Sequence, residues 1–213
     1  MGLERLKKHC LAISILAIEA LPITAEAYFT PHEREKYLLL GPRRQKSFTS
    51  ARIALKGLAR ELGLIEDGRS DRDIETLCPD NEKPCLDQSR LFCSVSHSRK
   101  FVVAVAHRWS VGVDIEPPSE NFLKIEHLLL TPAERQFAGL SNPDRKQVLT
   151  RIWTIKEAAA KALGLPLFQA LREINVVNLN DEESRIVLNN RSYPVFHGEK
   201  EGQIISLIRC AEY

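Results

Sequence analysis

Two short stretches of the chain carry residue types that could do chemistry together. Asp114 and Glu116 lie in Val111-Gly112-Val113-Asp114-Ile115-Glu116. Residues two apart on a strand point to the same side, so both carboxylates project from one face of an otherwise apolar segment. The pair reads either as a strand end reaching solvent or as ligands for a divalent metal. All-oxygen donors with no nearby His or Cys favour Mg²⁺ over Zn²⁺. The second stretch is Trp153-Thr154-Ile155-Lys156-Glu157-Ala158-Ala159-Ala160-Lys161. Trp153, Glu157 and Lys161 recur every four residues and share one helix face. Glu157 and Lys161 read either as an ordinary exposed ion pair or as a third metal ligand or general base beside a phosphate-binding ammonium.

A third group is Ser94-Val95-Ser96-His97-Ser98. Adjacent Ser96 and His97 do not make a nucleophile–base pair within a strand, and the chain has no Gly-x-Ser-x-Gly elbow. Hydroxyls and an imidazole at a strand end suit phosphate binding instead. So do Lys83 and the basic run Arg43-Arg44-Gln45-Lys46, which also reads as a solvated helix face. Neither a Walker loop nor a dinucleotide fingerprint occurs.

The elements that hold these residues follow from an internal repeat. Phe29-Thr30-Pro31-His32-Glu33-Arg34 matches Leu130-Thr131-Pro132-Ala133-Glu134-Arg135, and the same 101-residue offset carries Ala59–Leu64 onto Ala160–Leu165. Twelve of the 36 pairs between 29–64 and 130–165 are identical without a gap. Each copy opens with Thr as a helix N-cap and Pro at the first helical position. Each closes a longer helix on Leu-Gly-Leu, where Gly suits the left-handed position past the last turn. The offset also lays the apolar run Leu11–Leu16 on Gly112–Pro117, which predicts a strand at the start of each copy. Strands are expected near 10–18, 91–95, 101–107, 111–116, 174–178, 185–188, 192–196 and 203–209. Helices are expected near 31–40, 44–62, 131–139 and 144–163, and the polar stretch 66–90, broken by Gly68, Pro79 and Pro84, reads as a poorly ordered loop. The fold class is therefore α+β: a pseudo-twofold duplication of two similar α/β halves, residues 1–108 and 109–213, packed face to face around a cleft.

Ungapped, the repeat sets Ile13 and Ile15 opposite Asp114 and Glu116, and Lys56 opposite Glu157. The second copy thus holds three carboxylates where the first has none. In a duplicated fold, such differences mark where chemistry was added.

Composition bounds the function classes. The 213 residues hold 30 Lys and Arg against 28 Asp and Glu, for a net charge of +2. That argues against a nucleic-acid surface but leaves room for a local basic pocket. Hydrophobic content of 44% is that of a globular chain able to bury a core without disulfides. The five cysteines, Cys10, Cys78, Cys85, Cys93 and Cys210, follow neither a disulfide framework nor a zinc-knuckle spacing. They read as buried reduced thiols, and the chain as cytoplasmic. Lys7-Lys8, the following apolar run and Ala25-Glu26-Ala27 outline a signal peptide. The repeat favours a structural strand there instead. The run is too short to span a bilayer.

The order Ser-His-Ser, then Val-Gly-Val-Asp-Ile-Glu, then Trp-x-x-Lys-Glu-x-x-x-Lys-x-x-Gly resembles the 4′-phosphopantetheinyl transferases. The two-half length is similar to the surfactin-synthetase-activating (Sfp) type. Arg44-Gln45-x-x-Phe48-x-x-Ala51-Arg52 is similar to enterobactin-type members. The resemblance runs from about Thr30 to Leu165. It implies transfer of the 4′-phosphopantetheine arm of coenzyme A to a serine of an apo acyl, peptidyl or aryl carrier protein, with release of 3′,5′-ADP. It implies Mg²⁺ (or Mn²⁺) held by Asp114, Glu116 and Glu157, with Glu157, Lys161 and Asp114 catalytic. Arg44, Arg52, Lys83, Ser96, His97, Lys156 and Lys161 match positions that contact coenzyme A. A monomer is implied, with no nucleic acid or membrane partner. Arg135, Arg145 and Lys146 are candidates for a basic rim facing the carrier. Two positions depart from the family pattern: Ser94 stands where many members carry Asn, and Ala159 replaces the aromatic common after Lys-Glu-Ala. The rival readings are a non-catalytic coenzyme A or carrier-binding module and a Mg²⁺-dependent phosphodiesterase acting on a small nucleotide.

Overall fold

The computed structural model describes residues 2–21, 27–65, 68–86, 89–138 and 144–210. Ala25 and Glu26 of the leader reading and residues 139–143 of the second repeat copy lie outside them. The chain divides into two compact units, Cys10–Trp109 and a second formed by Met1–His9 with Ser110–Tyr213.

The first unit is a three-stranded antiparallel sheet in the order β1-β3-β2, where β1 is Ala12–Ala17, β2 Phe92–His97 and β3 Phe101–His107. Every residue of β3 is buried, which suits its continuous apolar run and its middle position. Helices α2 (Pro31–Leu38) and α3 (Pro42–Glu61) complete the unit. Ala54, Leu55 and Leu58 of α3 pack on Ala12, Val102, Ala104 and Ala106 of the sheet. The stretch expected to be a poorly ordered loop contributes to this core. Ile74, Leu77 and Leu86 are buried, and Leu77 bridges Pro84 in antiparallel fashion. Its apolar residues are spaced too irregularly for a periodicity test to register.

The second unit has a five-stranded antiparallel sheet in the order β4-β8-β7-β6-β5. The strands are β4 (Ser110–Glu116), β5 (Asn175–Asn178), β6 (Glu183–Leu188), β7 (Arg191–Lys200) and β8 (Gln203–Cys210). Two tight hairpins set its register. Asn189 and Asn190 join β6 to β7, and Glu201 and Gly202 join β7 to β8, all with positive φ. Paired positive φ values match the right-handed twist of the strands they link.

Around the second sheet lie α1 (Gly2–Lys7), α4 (Asn121–Lys124), α5 (Glu126–Leu129), α6 (Pro132–Ala138), α7 (Arg145–Leu163) and α8 (Leu167–Glu173). The long α7 runs across β4 and β8, with Ile152, Ile155 and Ala159 in the core. It ends at Gly164, in the left-handed conformation at φ 67°. Helix α1 is absent from the sequence expectation, being a single short helix. It packs on β7, where His9, just past its end, stacks on Phe196 at 3.5 Å. For that reason residues 1–9 group with the second unit and not with the first half, as the 108/109 boundary had them.

Both long helices are anchored alike. Thr30 caps α2 in a reciprocal capping box with Glu33. Thr131 and Glu134 make the same exchange at the start of α6. Each Glu then accepts from a buried lysine of the long helix: Glu33 from Lys56 at 2.6 Å, Glu134 from Lys156 at 2.8 Å. Lys56 also donates to the carbonyls of Tyr28 and Asp71, and Lys156 to those of Leu129 and Leu171. Lys156, not Glu157, is thus the counterpart of Lys56. The ungapped comparison is out by one residue here, which on a helix is a rotation of 100°.

Candidate active site

The site is built where β4 meets α7. Gly112 permits the approach: a Cβ there would lie 2.8 Å from Ala158's neighbour in space, the Ala162 nitrogen, 2.9 Å from the Ala158 carbon, and closer still to the Ala158 oxygen. No side chain fits such a gap. Strand alternation then turns Gly112, Asp114 and Glu116 toward α7, while Val111, Val113 and Ile115 face away. From α7, Glu157 and Lys161 sit one turn apart. Lys161 Nζ donates to Asp114 Oδ1 at 2.9 Å and to the Val113 carbonyl at 3.0 Å, and lies 3.6 Å from Glu157 Oε2. One ammonium therefore links two carboxylates from different elements.

The electrostatics show how closely the acids sit. Burial raises the Glu116 carboxyl to about 7, and the neighbouring Asp114 and Glu157 carboxylates add to the shift. Burial, then Asp114, also raises Glu157. Asp114 itself is 3% exposed. Partial burial weakens the screening of charge among the three acids, so a cation is favoured among them. Among the described residues, no three Asp, Glu, His or Cys groups converge tightly enough to hold a metal ion. Lys161 stands between two of the acids in its place. The donor chemistry nevertheless fits a hard divalent ion: all carboxylate oxygens, partly desolvated, with a raised proton affinity that a metal would relieve.

Beneath the site runs a buried polar ladder. Ser206 of β8 pairs in register with Asp114 on one side and His197 of β7 on the other. Ser206 Oγ lies 2.7 Å from Thr154 Oγ1 of α7 and 3.1 Å from His197 Nδ1, and His197 Nε2 lies 2.7 Å from Ser184 Oγ. Burial holds the imidazole down at about 3, so it stays neutral. Neither this ladder nor the role of Gly112 stands out in the sequence. A lone glycine inside an apolar strand is a signal of close approach, whereas Ser206 and His197 join no motif.

The other expected residues are placed as follows. Lys156 is fully buried with all three ammonium hydrogens used, which corrects its assignment to coenzyme A. In the first unit, Arg44 and Lys83 are exposed. Ser96 is buried and His97 exposed, as neighbours on a strand must face opposite ways. Arg52 is 4% exposed, donates to the Thr76 carbonyl and lies over the Phe48 ring, so it braces the unit. Trp153 tilts against Phe122 at 5.1 Å, partly buried in the core. Of the candidate rim residues, Arg145 is forked onto Glu126 and Arg135 donates to the His127 carbonyl. Burial pushes the Cys93 and Cys210 thiols up to about 12 and about 11, which leaves both unreactive. Among the described residues no helix is long and apolar enough to cross a membrane.

Residues 110–207 match the family model of the 4′-phosphopantetheinyl transferase superfamily. The 4′-phosphopantetheinyl transferase gsp of Aneurinibacillus migulanus is 31% identical over 122 residues, 56% of this chain and 50% of that protein. The 4′-phosphopantetheinyl transferase HetI of Nostoc sp. is 26% identical over 153 residues, 68% of this chain and 62% of that protein. The chain thus spans between half and two thirds of the length of these relatives. A solved holo-[acyl-carrier-protein] synthase (AcpS) from Thermotoga maritima is 27% identical, covering 53% of this chain and 70% of that one, with a TM-score of 0.36.

Proposed function

We propose that the chain, whose residues 110–207 match the family model of the 4′-phosphopantetheinyl transferase superfamily, transfers the 4′-phosphopantetheine arm of coenzyme A. The acceptor is a serine of an apo acyl, peptidyl or aryl carrier protein, and 3′,5′-ADP leaves. The observation that carries the reading is the meeting of Asp114, Glu116, Glu157 and Lys161 where β4 crosses α7.

In this reaction the serine oxygen forms a bond to the phosphorus that carries the pantetheine arm. The pyrophosphate bond to the adenosine-bearing phosphate breaks. Such a transfer needs positioning and charge neutralisation more than covalent catalysis. Glu157 takes the serine proton. Lys161 turns from Asp114 to the leaving phosphate and offsets its growing charge. Asp114, Glu116 and Glu157 would hold Mg²⁺ or Mn²⁺, which supplies positive charge to the pyrophosphate oxygens. Arg44, Lys83, Ser96 and His97 remain candidates for coenzyme A contacts. The reading places a monomeric enzyme in the cytoplasm.

The test is to incubate the protein with coenzyme A, Mg²⁺ and apo carriers of the fatty-acid, polyketide and peptide classes, and to weigh each carrier by mass spectrometry. A gain of one phosphopantetheine on the carrier serine is expected in at least one class. Unchanged mass in every class would overturn the proposal.

A further inference from the structure

We propose that the buried Glu134–Lys156 pair is a positioning device that sets the rotation of α7 and so aims Glu157 at Asp114. The inference rests on the reading of Asp114, Glu116 and Glu157 as ligands for a divalent cation.

Three segments hold the Lys156 ammonium: the Leu129 carbonyl, the Glu134 carboxylate of α6 and the Leu171 carbonyl, at 2.8, 2.8 and 3.0 Å. An ammonium has three donors, and each is used. Glu134 is tied in turn by the backbone nitrogens of Thr131 and Val176 at 2.7 Å each. Points of attachment in different segments resist rotation of the helix about its axis as well as sliding along it. The next residue is Glu157, so its direction follows from that of Lys156 by one helical step of 100°.

Stability alone is a poor account of the pair. Removing an ammonium and a carboxylate from water carries a large desolvation penalty for each ion, and apolar residues of similar volume often serve as well. What the pair adds over an apolar contact is direction. An apolar patch permits small rotations of α7, whereas hydrogen bonds to fixed acceptors do not.

The first unit supplies a natural control. Lys56 makes the same three-way attachment, to Glu33 and to the Tyr28 and Asp71 carbonyls, and Glu33 also accepts from Thr76. Its next residue is Gly57, whose added Cβ would meet only Ser14 Oγ, at 4.0 Å. Position for position, the first strut carries no functional group and the second carries Glu157. Breaking the two struts should affect folding alike and cation binding differently.

The test compares Glu134→Gln/Lys156→Met with Glu33→Gln/Lys56→Met. Gln keeps an acceptor oxygen for each capping box and loses the second acceptor, for Val176 in one variant and Thr76 in the other, so the two variants lose a comparable bond, and removing both charges leaves no buried ion unpaired. Far-UV circular dichroism and thermal melting check the fold. Mn²⁺ alone is the probe, with free Mn²⁺ read by electron paramagnetic resonance. The second-unit variant is expected to bind Mn²⁺ at least tenfold more weakly than wild type, and the first-unit variant within twofold of it. Equal binding by wild type and both variants overturns the positioning role and leaves the cation site standing. An equal loss in both variants also overturns it. Absence of Mn²⁺ uptake by the wild type overturns the cation reading and this inference with it. Should a double variant fail to fold, Glu134→Gln against Glu33→Gln repeats the comparison with the same expected contrast.

Discussion

Gly112 offers the sharpest perturbation of the site without touching any of its functional groups. In Gly112→Ala the new methyl would stand 2.8 Å from the Ala162 nitrogen and 2.9 Å from the Ala158 carbon, with the Ala158 oxygen nearer still. All are backbone atoms of α7, so no side-chain rotation relieves the clash. Relief requires β4 and α7 to separate by about 1 Å, which is the kind of overpacking that costs roughly 1–3 kcal/mol or more. The movement falls two residues from Asp114 and would stretch its 2.9 Å bond to Lys161. A misplacement of about 1 Å at a reacting centre costs on the order of 10²-fold in rate. The matched control is Gly57→Ala in α3, where the methyl meets only Ser14 Oγ at 4.0 Å. In mid-helix that change should stabilise the protein by about 0.5–1 kcal/mol. Urea unfolding curves for both variants, with initial transfer rates beside them, give the answer. If Gly112→Ala keeps wild-type stability and rate, β4 does not press on α7 as described, and the account of how the site is assembled falls.

Other consequences can be measured directly. A Glu116 carboxyl raised from 4.5 to about 7 makes the folded protein hold a proton that the unfolded chain releases. Metal-free stability from this group is therefore full below pH 4.5 and is lost as pH rises through 7. The loss is at most about 3 kcal/mol, and on the order of 1 kcal/mol after screening on the open side of the group. Glu116→Gln should accordingly stabilise the metal-free protein at pH 8 relative to pH 5, by chemical denaturation at both; an equal effect at the two pH values would contradict the shift. Lys161→Met removes a charge-assisted bond to buried Asp114 and should cost about 1.5–3 kcal/mol in the metal-free protein. Added Mn²⁺ should recover part of that loss; no recovery would argue against a cation replacing the lysine. The His197 ring should show no titration in its NMR signals between pH 8 and 5, and a midpoint near 6.5 would refute its burial in the ladder.

Much of the fold was legible because it repeats and because its signals are local. Thr131-Pro132-x-Glu134, Leu163-Gly164-Leu165 and the alternation of β4 each mark one element in a few residues. Asp114, Glu116, Glu157 and Lys161 emerged from strand and helix periodicity together with the contrast between copies. The one-residue error at Lys56 shows the limit of that contrast. An ungapped comparison is governed by the identical caps at either end, whereas the rotation of α7 is decided by which lysine reaches the capping glutamate, a long-range fact. The same holds for the ladder of Ser184, His197 and Ser206, which strand pairing alone brings together. Helix α1 has a single turn or so of pattern and is held by tertiary contacts such as His9 on Phe196.

The most direct trial is to count products in one reaction, 3′,5′-ADP released and carrier serine modified, for wild type and Glu157→Gln at equal folded concentration. One 3′,5′-ADP is expected for each modified carrier in the wild type. The variant should lose at least about 10²-fold in both products, the scale of a missing general base. Release of 3′,5′-ADP without any modified carrier, or full transfer by Glu157→Gln, would contradict this mechanism.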